Sequence, residues 1–335
     1  MNEIDKIFIK AEFNDILGQE TTKKQVKSAL ISGHHLILSG PPGTGKTTLA
    51  KNVAGLLPEM TVNECEYHCD PAKPLCPKCI SGKQKTKKIK GNERFVRVQG
   101  SPDLTAEDLL GDIDPVKALK FGPNSIEAFT PGKIFKANNG VLFFDEVNRC
   151  PERLQNALLQ VLSEAKATVG SYTLDLPANF ILIATMNPED TSTEPLSEVF
   201  LDRFDVIEMS YPEEHEIEKK IVKLKGKKLE VEFPEKLIDM LIHFIRLLRQ
   251  DKKLEKKPSV RASINLYERA QANCLIEGRK KVNQDDINRA MVSVLSHRIK
   301  LIPSAKYLKT PEEYVKEEFK KYSEEYSEML GKGDG

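Results

Sequence analysis

The sequence predicts an α/β nucleotide-binding core followed by an all-helical domain, with a small cysteine-rich insertion in the core. Short apolar runs alternate with helical patterns up to about residue 211, and helical patterns follow one another after Pro212. Four of the six cysteines lie in one window, between Cys65 and Cys79. We expect a core at residues 1–211 with the insertion at 63–91, a helical domain at 212–303, and a C-terminal amphipathic helix and tail at 304–335.

Composition excludes several classes of protein. The 335 residues carry 51 Lys and Arg against 50 Asp and Glu, a net charge of +1, which excludes a uniformly charged binder of nucleic acid or membranes. Hydrophobic residues make up 39% of the chain, enough for two cores. The longest apolar runs fall far short of the roughly 18 residues that a membrane-spanning helix needs. No signal segment is visible at the start, so we expect no membrane span and a cytoplasmic location.

The predicted strands of the core are continuous apolar runs rather than alternating ones. They lie at residues 36–38, 95–98, 141–144 and 180–184. Continuous runs are typical of strands that are buried on both faces, so we expect a parallel sheet between layers of helices.

Helix start signals mark the second half of the chain. Pro234, Ser259 and Asn283 each precede a helical pattern. The sequence Thr310-Pro311-Glu312-Glu313 predicts a capping box at the start of the last helix. The apolar stripe of that helix is expected to pack on the chain's own helical domain, with docking of a partner as the alternative.

A phosphate-binding loop (P-loop) follows the first strand and precedes a helix. Its pattern, G-x-x-x-x-G-K-[ST], consists of Gly40, Pro41, Pro42, Gly43, Thr44, Gly45, Lys46 and Thr47, with Thr48 continuing into the helix. Glycines let backbone N–H groups face phosphate oxygens, and the helix N-terminus favours negative charge. Lys46 is expected to reach the β- and γ-phosphates of ATP, and the Thr47 hydroxyl to bind Mg²⁺.

A second strand, at residues 141–144, ends in Asp145 and Glu146. Two carboxylates at the end of a buried strand are costly without a cation. We expect Asp145 to hold Mg²⁺ and Glu146 to polarise the water that attacks the γ-phosphate.

These motifs together resemble AAA+ ATPases, and more narrowly the MoxR and magnesium-chelatase ATPase-subunit (ChlI-like) group. Asp145-Glu146-Val147-Asn148-Arg149 resembles the MoxR signature, and the stretch from Arg97 to Gly132 resembles the chelatase type. The resemblance covers about residues 15–298 and implies an ATP hydrolase.

The resemblance also implies roles for four further positions. Asn187 matches sensor 1, which orients the attacking water, although a turn-forming Asn-Pro is the alternative. Arg203 matches the arginine finger that acts on a neighbouring subunit's ATP, with a surface ion pair as the alternative. Arg261 matches sensor 2, with an ordinary solvated arginine as the alternative, and Gly18 lies in a segment resembling the adenine border.

The family assembles into rings, so the resemblance implies a hexamer that acts on a separate protein partner or assists metal insertion. The segment 190–194 departs from a metal-adhesion signature, so a von Willebrand A-type adaptor would be a separate polypeptide. Family members also carry two β-hairpin insertions, which are expected here at residues 117–128 and 167–177.

The four clustered cysteines, Cys65, Cys69, Cys76 and Cys79, follow the pattern C-x3-C-x6-C-x2-C. Four thiolates suit tetrahedral Zn²⁺, which is the favoured interpretation. An iron–sulfur cluster and uncoordinated or disulfide-paired cysteines are the alternatives.

Five lysines follow the cysteines within residues 83–90. A solvated basic loop is one interpretation, and contact with nucleic acid or an acidic partner is the other. The lysines keep a nucleic-acid motor as the alternative function, and a monomeric P-loop kinase is a third hypothesis.

Overall fold

The computed structural model describes residues 3–74, 76–82, 84–122, 125–164, 166–169, 172–177, 179–188, 190 and 196–331. The chain forms two compact units. One comprises Met1–Pro41 and Gly45–Met209, and the other comprises Pro42–Thr44 and Ser210–Gly335. Among the described residues, no helix is both long and apolar enough to cross a membrane.

The first unit is an α/β structure. Its strands are β1 (His35–Ser39), β2 (Met60–Asn63), β3 (Thr86–Ile89), β4 (Phe95–Gln99), β5 (Gly111–Ile113), β6 (Phe129–Pro131), β7 (Gly140–Asp145), β8 (Lys166–Val169), β9 (Tyr172–Pro177), β10 (Phe180–Met186) and β11 (Phe204–Glu208). Its helices are α1 (Glu3–Lys10), α2 (Glu20–Ile31), α3 (Lys46–Leu56), α4 (Pro77–Ile80), α5 (Ala106–Leu110), α6 (Pro115–Phe121), α7 (Lys133–Lys136), α8 (Glu152–Glu164) and α9 (Glu198–Leu201).

The central sheet has the order β11-β1-β10-β7-β4, and all of these pairs are parallel. Its strands are buried on both faces. Leu142 and Phe144 of β7 pack into one hydrophobic cluster, whereas Val141 and Phe143 pack into the other. The parallel sheet expected from the continuous apolar runs is confirmed.

The second unit is helical. Its elements are α10 (His215–Lys225), α11 (Glu235–Gln250), β12 (Leu254–Lys256), α12 (Val260–Ile276), α13 (Gln284–Leu295), β13 (Lys300–Leu301), α14 (Pro303–Lys306) and α15 (Pro311–Gly331).

Capping and packing hold the last helix of the second unit. The Glu313 N–H donates to Thr310 Oγ1 (3.3 Å) and the Thr310 N–H donates to Glu313 Oε2 (2.9 Å), which is the predicted capping box. Val315, Phe319 and Tyr322 are buried in the same cluster as the side chains of α11 and α13. The apolar stripe of α15 therefore packs on the chain's own helical domain, as expected.

Of the two predicted hairpins, the second is confirmed and the first is wrong. β8 and β9 pair in antiparallel fashion, with Lys166 opposite Pro177. The antiparallel pair of the first insertion, β5 with β6, lies outside residues 117–128, whose first part belongs to α6. Asp114 begins this helix because its Oδ1 accepts the Val116 (2.9 Å) and Lys117 (3.2 Å) N–H groups, with Pro115 at the first helical position. Residues 123 and 124 lie outside the described residues.

Candidate functional site

The carboxyl ends of three neighbouring strands place the predicted nucleotide-binding residues at one edge of the sheet. The phosphate loop follows β1, Asp145 ends β7, and Asn187 follows β10, which lies between β1 and β7. Parallel strands bring their carboxyl ends to the same edge, where α/β proteins bind ligands. The topology therefore brings together residues that are up to 147 positions apart in sequence (187 − 40).

The phosphate loop depends on glycine at three positions. Gly40, Gly43 and Gly45 have φ values of 150°, 79° and 99°. A Cβ on Gly40 would lie 2.1 Å from the Met209 carbonyl oxygen, so a larger residue would force the loop away from the sheet. Lys46 Nζ donates to the carbonyl oxygens of Gly40 (2.6 Å) and Pro41 (2.9 Å). The lysine ammonium thus lies within the turn that its own loop forms.

The rest of the loop leads into α3. Gly45 is the N-cap of this helix, so Lys46, Thr47 and Thr48 occupy its first turn. Thr44 is buried, while the Thr47 and Thr48 side chains are half-buried. The first-turn N–H groups of a helix favour anions, and the Thr47 hydroxyl is an oxygen ligand of the type that Mg²⁺ takes.

Gly18 follows Ile16 by two residues, and the Ile16 side chain borders the phosphate loop. Gly18 and Gln19 both have positive φ values, 70° and 58°, which turn the chain into α2. The Ile16 Cδ1 methyl lies 3.3 Å from the position that a Cβ on Gly45 would take.

Asp145 and Glu146 share one hydroxyl group. Thr185 Oγ1, on the neighbouring strand β10, donates to Asp145 Oδ1 (2.7 Å) and accepts the Glu146 N–H (2.9 Å). Thr185 is 1% exposed. Asp145 Oδ2 also forms an ion pair with Arg97 Nη2 (2.5 Å) from β4. The carboxylates are therefore fixed by both neighbouring strands.

The Glu146 side chain is held through one of its oxygens. Gln99 Nε2 donates to Glu146 Oε2 (3.0 Å), and Arg149 Nη1 pairs with the same oxygen (3.1 Å). Arg149 also binds Asp190 Oδ2 through Nη2 (2.7 Å), and this bond, with the charge of Glu146, raises the pKa of Arg149. Glu146 has φ 57°, an uncommon conformation for a residue with a side chain.

Sequence reasoning assigned no role to four of these residues: Arg97, Gln99, Arg149 and Thr185. The signal for Thr185 is a polar residue within the apolar strand 180–186. Arg149 belongs to the MoxR-like signature, but its contacts to Glu146 and Asp190 depend on the fold. Arg97 and Gln99 are two residues apart on β4, so their side chains lie on the same face of the strand. This spacing does not identify their partners.

Asn187 lies at the carboxyl edge and also begins a turn. Its carbonyl oxygen accepts the Asp190 N–H (3.2 Å) and Asn148 Nδ2 (3.4 Å). The turn that was the alternative for this residue is therefore present beside the candidate site. Residues 191–194 of the segment compared with a metal-adhesion signature lie outside the described residues.

Arg203 lies at the opposite edge of the sheet from the phosphate loop. It precedes Phe204, the first residue of β11, which pairs with His35 at the start of β1. Arg203 is exposed, and within the described residues no carboxylate forms an ion pair with it. The nearby acid Asp205 instead binds His34 Nδ1 (2.9 Å).

Arg261 lies in the second unit, at the start of α12, and is exposed. Pro42–Thr44 of the phosphate loop belong to the same unit. A Cβ on Gly43 would lie 3.1 Å from Ser259 Oγ and 3.4 Å from Arg261 Cγ. The glycine thus leaves the space that the start of α12 occupies.

The cysteine cluster lies between β2 and β3, which form an antiparallel ribbon. The sulfur atoms of Cys65, Cys69, Cys76 and Cys79 all lie within 4.8 Å of one another, and the last three residues are buried. The Cys69 N–H donates to Cys65 Sγ (3.3 Å), and the Cys76 N–H donates to Cys69 Sγ (3.4 Å). Burial opposes ionisation of Cys65, but the backbone hydrogen bonds from Cys69 and Tyr67 lower its pKa overall.

The cysteines also belong to the main core rather than to a separate finger. Cys69, Cys76 and Cys79 share a hydrophobic cluster with residues of β7 and β10. The Tyr67 carbonyl accepts a buried hydrogen bond from Asn138 Nδ2 (3.1 Å). None of the six cysteines, all of which the structure describes, forms a disulfide.

The lysines after the cluster are exposed where the structure describes them. Lys85, Lys87, Lys88 and Lys90 lie on or beside β3, and Lys88 pairs with Glu59 (3.5 Å). Lys83 lies outside the described residues.

Comparison with protein families gives three matches along the chain. A model described as "Magnesium chelatase, subunit ChlI" matches residues 12–87, and the AAA model, "ATPase family associated with various cellular activities", matches residues 72–206. An "AAA lid domain" model matches residues 248–318.

Similar proteins extend the match over most of the chain. The magnesium-chelatase subunit ChlI of Nephroselmis olivacea is 31% identical, with 87% of this chain and 89% of that protein covered. The magnesium-chelatase subunit ChlI homolog of Methanocaldococcus jannaschii is 29% identical, with 87% and 86% covered. A RuvB mutant from Thermotoga maritima, 19% identical with a TM-score of 0.50 and 85% and 72% covered, shares the fold.

Proposed function

Because the chain belongs to the magnesium-chelatase ChlI family of AAA+ ATPases, we propose that it works as a ring-forming ATPase that acts on a separate protein partner. The observation that carries the proposal is the position of two groups of residues. The phosphate loop, Asp145 and Glu146 lie at the carboxyl edge of the sheet, whereas Arg203 lies at the other edge. One chain therefore holds the ATP-binding half of a site and offers its arginine elsewhere.

The residues at the carboxyl edge divide the work of hydrolysis. Lys46 and the N–H groups of the loop bind the phosphates. Thr47 and Asp145 are the oxygen ligands that fit Mg²⁺, which neutralises the charge of the phosphates when it is bound. Glu146 accepts a proton from the attacking water, and Asn187 orients that water. With Oε2 of Glu146 held by Gln99 and Arg149, Oε1 is the oxygen left to accept the proton.

Arg203 and Arg261, which are not among the residues of the carboxyl edge, are proposed to supply positive charge to the phosphates. Arg203 acts on the ATP of a neighbouring subunit, where a guanidinium stabilises the charge that develops in the transition state. Arg261 contacts the γ-phosphate from the helical unit. Support for this comes from the space at Gly43, which accommodates Ser259 and Arg261.

A ring of this kind couples ATP hydrolysis to a change in a partner, either remodelling of a protein or assistance in metal insertion. A von Willebrand A-type adaptor carried by a separate polypeptide is the proposed partner type. Capture with Glu146→Gln, which retains ATP because it lacks the base, tests this. A specific protein should bind Glu146→Gln in the presence of ATP but not Lys46→Ala, which cannot hold the nucleotide. Equal recovery with both variants would contradict a nucleotide-dependent partner.

A nucleic-acid motor is the second candidate, favoured by the exposed lysines of β3. It predicts a DNA affinity that falls steeply with salt and an ATPase rate that DNA stimulates. The absence of both effects in the wild-type protein would exclude it.

We further propose that the cysteine cluster binds one Zn²⁺. The donor set fits: Zn–S bonds of about 2.3 Å place the sulfurs of a tetrahedral site about 3.8 Å apart, compatible with the observed cluster. N–H groups that donate to Cys65 and Cys69 sulfur suit thiolates rather than thiols. Metal analysis of the purified protein should give one zinc per chain. Iron with visible absorbance would instead favour a cluster.

A further inference from the structure

The helical unit contains a basic groove that the proposed function does not use. It lies along α12 and α13 and has a volume of about 460 Å³. Lys227, Arg269, His297 and Arg298 line it, and Glu268 is the carboxylate among the described lining residues. The Glu268 carboxylate accepts the Lys227 backbone N–H (2.8 Å), and among the described residues it forms no ion pair with these side chains.

The arginines of this groove differ from the other arginines of the same unit. Arg249 binds both oxygens of Glu218 (2.7 and 2.8 Å), Arg279 binds Asp286 (2.9 Å), and Arg289 binds Glu277. In contrast, within the described part of the chain no carboxylate pairs with Arg269 or Arg298 of the groove, or with Arg261 one turn before Asn265 on α12. The arginines along this side of α12 therefore lack the paired carboxylates that the other arginines named here have.

Arg298 is held in place by neutral groups. Its Nη1 donates to the Val294 carbonyl oxygen. In the amide orientation that satisfies its neighbours, Asn265 accepts from Arg298 Nη2 (2.6 Å) and donates to the Arg261 carbonyl oxygen (3.2 Å). A guanidinium has five N–H donors, so three remain for a ligand. Arg298 is thus pre-organised without being neutralised.

Arg261 and Arg298 are close enough to repel each other. Burial, and then the charge of Arg261, lowers the pKa of Arg298. The half-buried Arg298 guanidinium therefore lies near a second, exposed guanidinium without a paired carboxylate, and an anion bound beside Arg298 would relieve this repulsion.

We propose that this groove is a phosphate-binding site of the lid, in which Arg298 and Arg269 bind the phosphate groups of a small ligand. Guanidinium groups bind phosphate through two parallel hydrogen bonds, and the volume suits a small molecule. The phosphates belong to a separate phosphorylated ligand, so the site goes beyond the ATP site of the proposed function.

Calorimetric titration of pyrophosphate into the full-length protein tests the proposal. Arg298→Gln should raise the Kd of pyrophosphate about tenfold, and Arg269→Gln should raise it about threefold, the range expected for charge-assisted hydrogen bonds. Arg298→Lys should recover part of the loss. Arg289→Gln, on α13 but paired with Glu277, is the matched control and should leave the Kd unchanged. Arg269 makes no hydrogen bond or ion pair among the described residues, so its variant separates binding from folding.

The Lys46→Ala variant separates the groove from the ATP site. Pyrophosphate binding that persists in Lys46→Ala and depends on Arg298 would support the groove as a separate site. Complete loss of pyrophosphate binding in Lys46→Ala would overturn the proposal.

Unchanged affinity for pyrophosphate in both Arg269→Gln and Arg298→Gln would also overturn the proposal. Loss of single-stranded DNA binding alone, with pyrophosphate unaffected, would also overturn it in favour of a nucleic-acid surface. None of these titrations requires hydrolysis. Full turnover by Glu146→Gln would refute the proposed catalytic role while leaving the pyrophosphate result valid.

Discussion

The two edges of the central sheet carry different parts of the ATPase. At the carboxyl edge, beside the phosphate loop, Asp145 and Glu146 are held by contacts with the neighbouring strands β4 and β10. At the amino edge, Arg203 is exposed beside the first residue of β11. A five-residue strand rises about 13 Å from its first residue to its last. This separation supports the proposal that Arg203 acts on the ATP of a second copy rather than on that of its own chain.

The largest expected effect comes from changing one residue at each edge. Glu146→Gln and Arg203→Ala should each lower kcat about a thousandfold, since a base and an arginine finger each contribute on that scale. An equimolar mixture of the two variants should regain activity. About one interface in four would then join an intact Glu146 to an intact Arg203 by random assembly.

Steady-state ATPase assays of the single and mixed variants check this. Arg153→Ala changes an exposed arginine on α8 and is the control. A mixture no more active than its components, or an Arg203→Ala variant with full turnover, would contradict a site shared between subunits.

Replacing one cysteine of the cluster tests whether the insertion stabilises the main core. Cys76→Ser should lose the metal and lower the Tm by about 10 °C, because metal–ligand bonds contribute directly to folding and these residues pack in the main core. Thermal unfolding with metal analysis measures both effects.

Cys150→Ser is the matched control, since Cys150 is equally buried in that core but lies outside the cluster. Its variant should keep one zinc per chain. A Cys76→Ser protein with unchanged Tm would show that the cluster does not support the core.

A smaller effect is expected at Thr185. Thr185→Val keeps the shape but removes the hydroxyl that joins Asp145 and Glu146, so kcat should fall about tenfold with ATP affinity within about twofold. Thr22→Val is the control, because Thr22 Oγ1 also makes one partly buried hydrogen bond, to Glu208 (2.9 Å), away from the carboxylates. Equal loss of activity in both variants would point to general destabilisation.

The smallest expected effect is a change in the free energy of unfolding with pH, caused by His35 at the amino edge of the sheet. Burial, and then the charge of His34, lowers the pKa of His35 to about 4. As pH falls, His35 is therefore protonated in the unfolded chain before it is protonated in the folded protein. The contribution of neutral His35 to the free energy of unfolding is complete above about pH 6.5 and is lost toward pH 4. The free energy of unfolding should fall by about 1 kcal/mol from this residue between pH 7 and 5.5.

Urea unfolding at a series of pH values measures this slope. His35→Gln keeps an acceptor for the Leu182 N–H but removes the titrating ring, so it should reduce the slope. An identical slope in the variant would assign the pH dependence to other groups.

The positions of several features were predictable because their causes are local. The glycines of the phosphate loop, the acids after β7 and the capping box at Thr310 each depend on a few neighbouring residues. The hairpin expected at residues 117–128 is wrong for a local reason as well, because Asp114 and Pro115 begin a helix there.

The contacts of the site were not predictable in the same way. Arg97, Gln99 and Arg149 approach the carboxylates from other elements, and nothing in their sequence positions identifies those partners. The groove along α12 depends likewise on which arginines meet a carboxylate in the folded unit, which a charge count cannot show.

The sequence by itself determined the parallel sheet, the phosphate loop, the acids that follow β7 and the four clustered cysteines, because periodicity and short motifs express local geometry. Only the tertiary structure decided that Thr185 joins Asp145 to Glu146, that Arg203 lies at the far edge, and that the cysteines pack in the core. These facts depend on strand order and direction, which bring distant residues together or hold them apart.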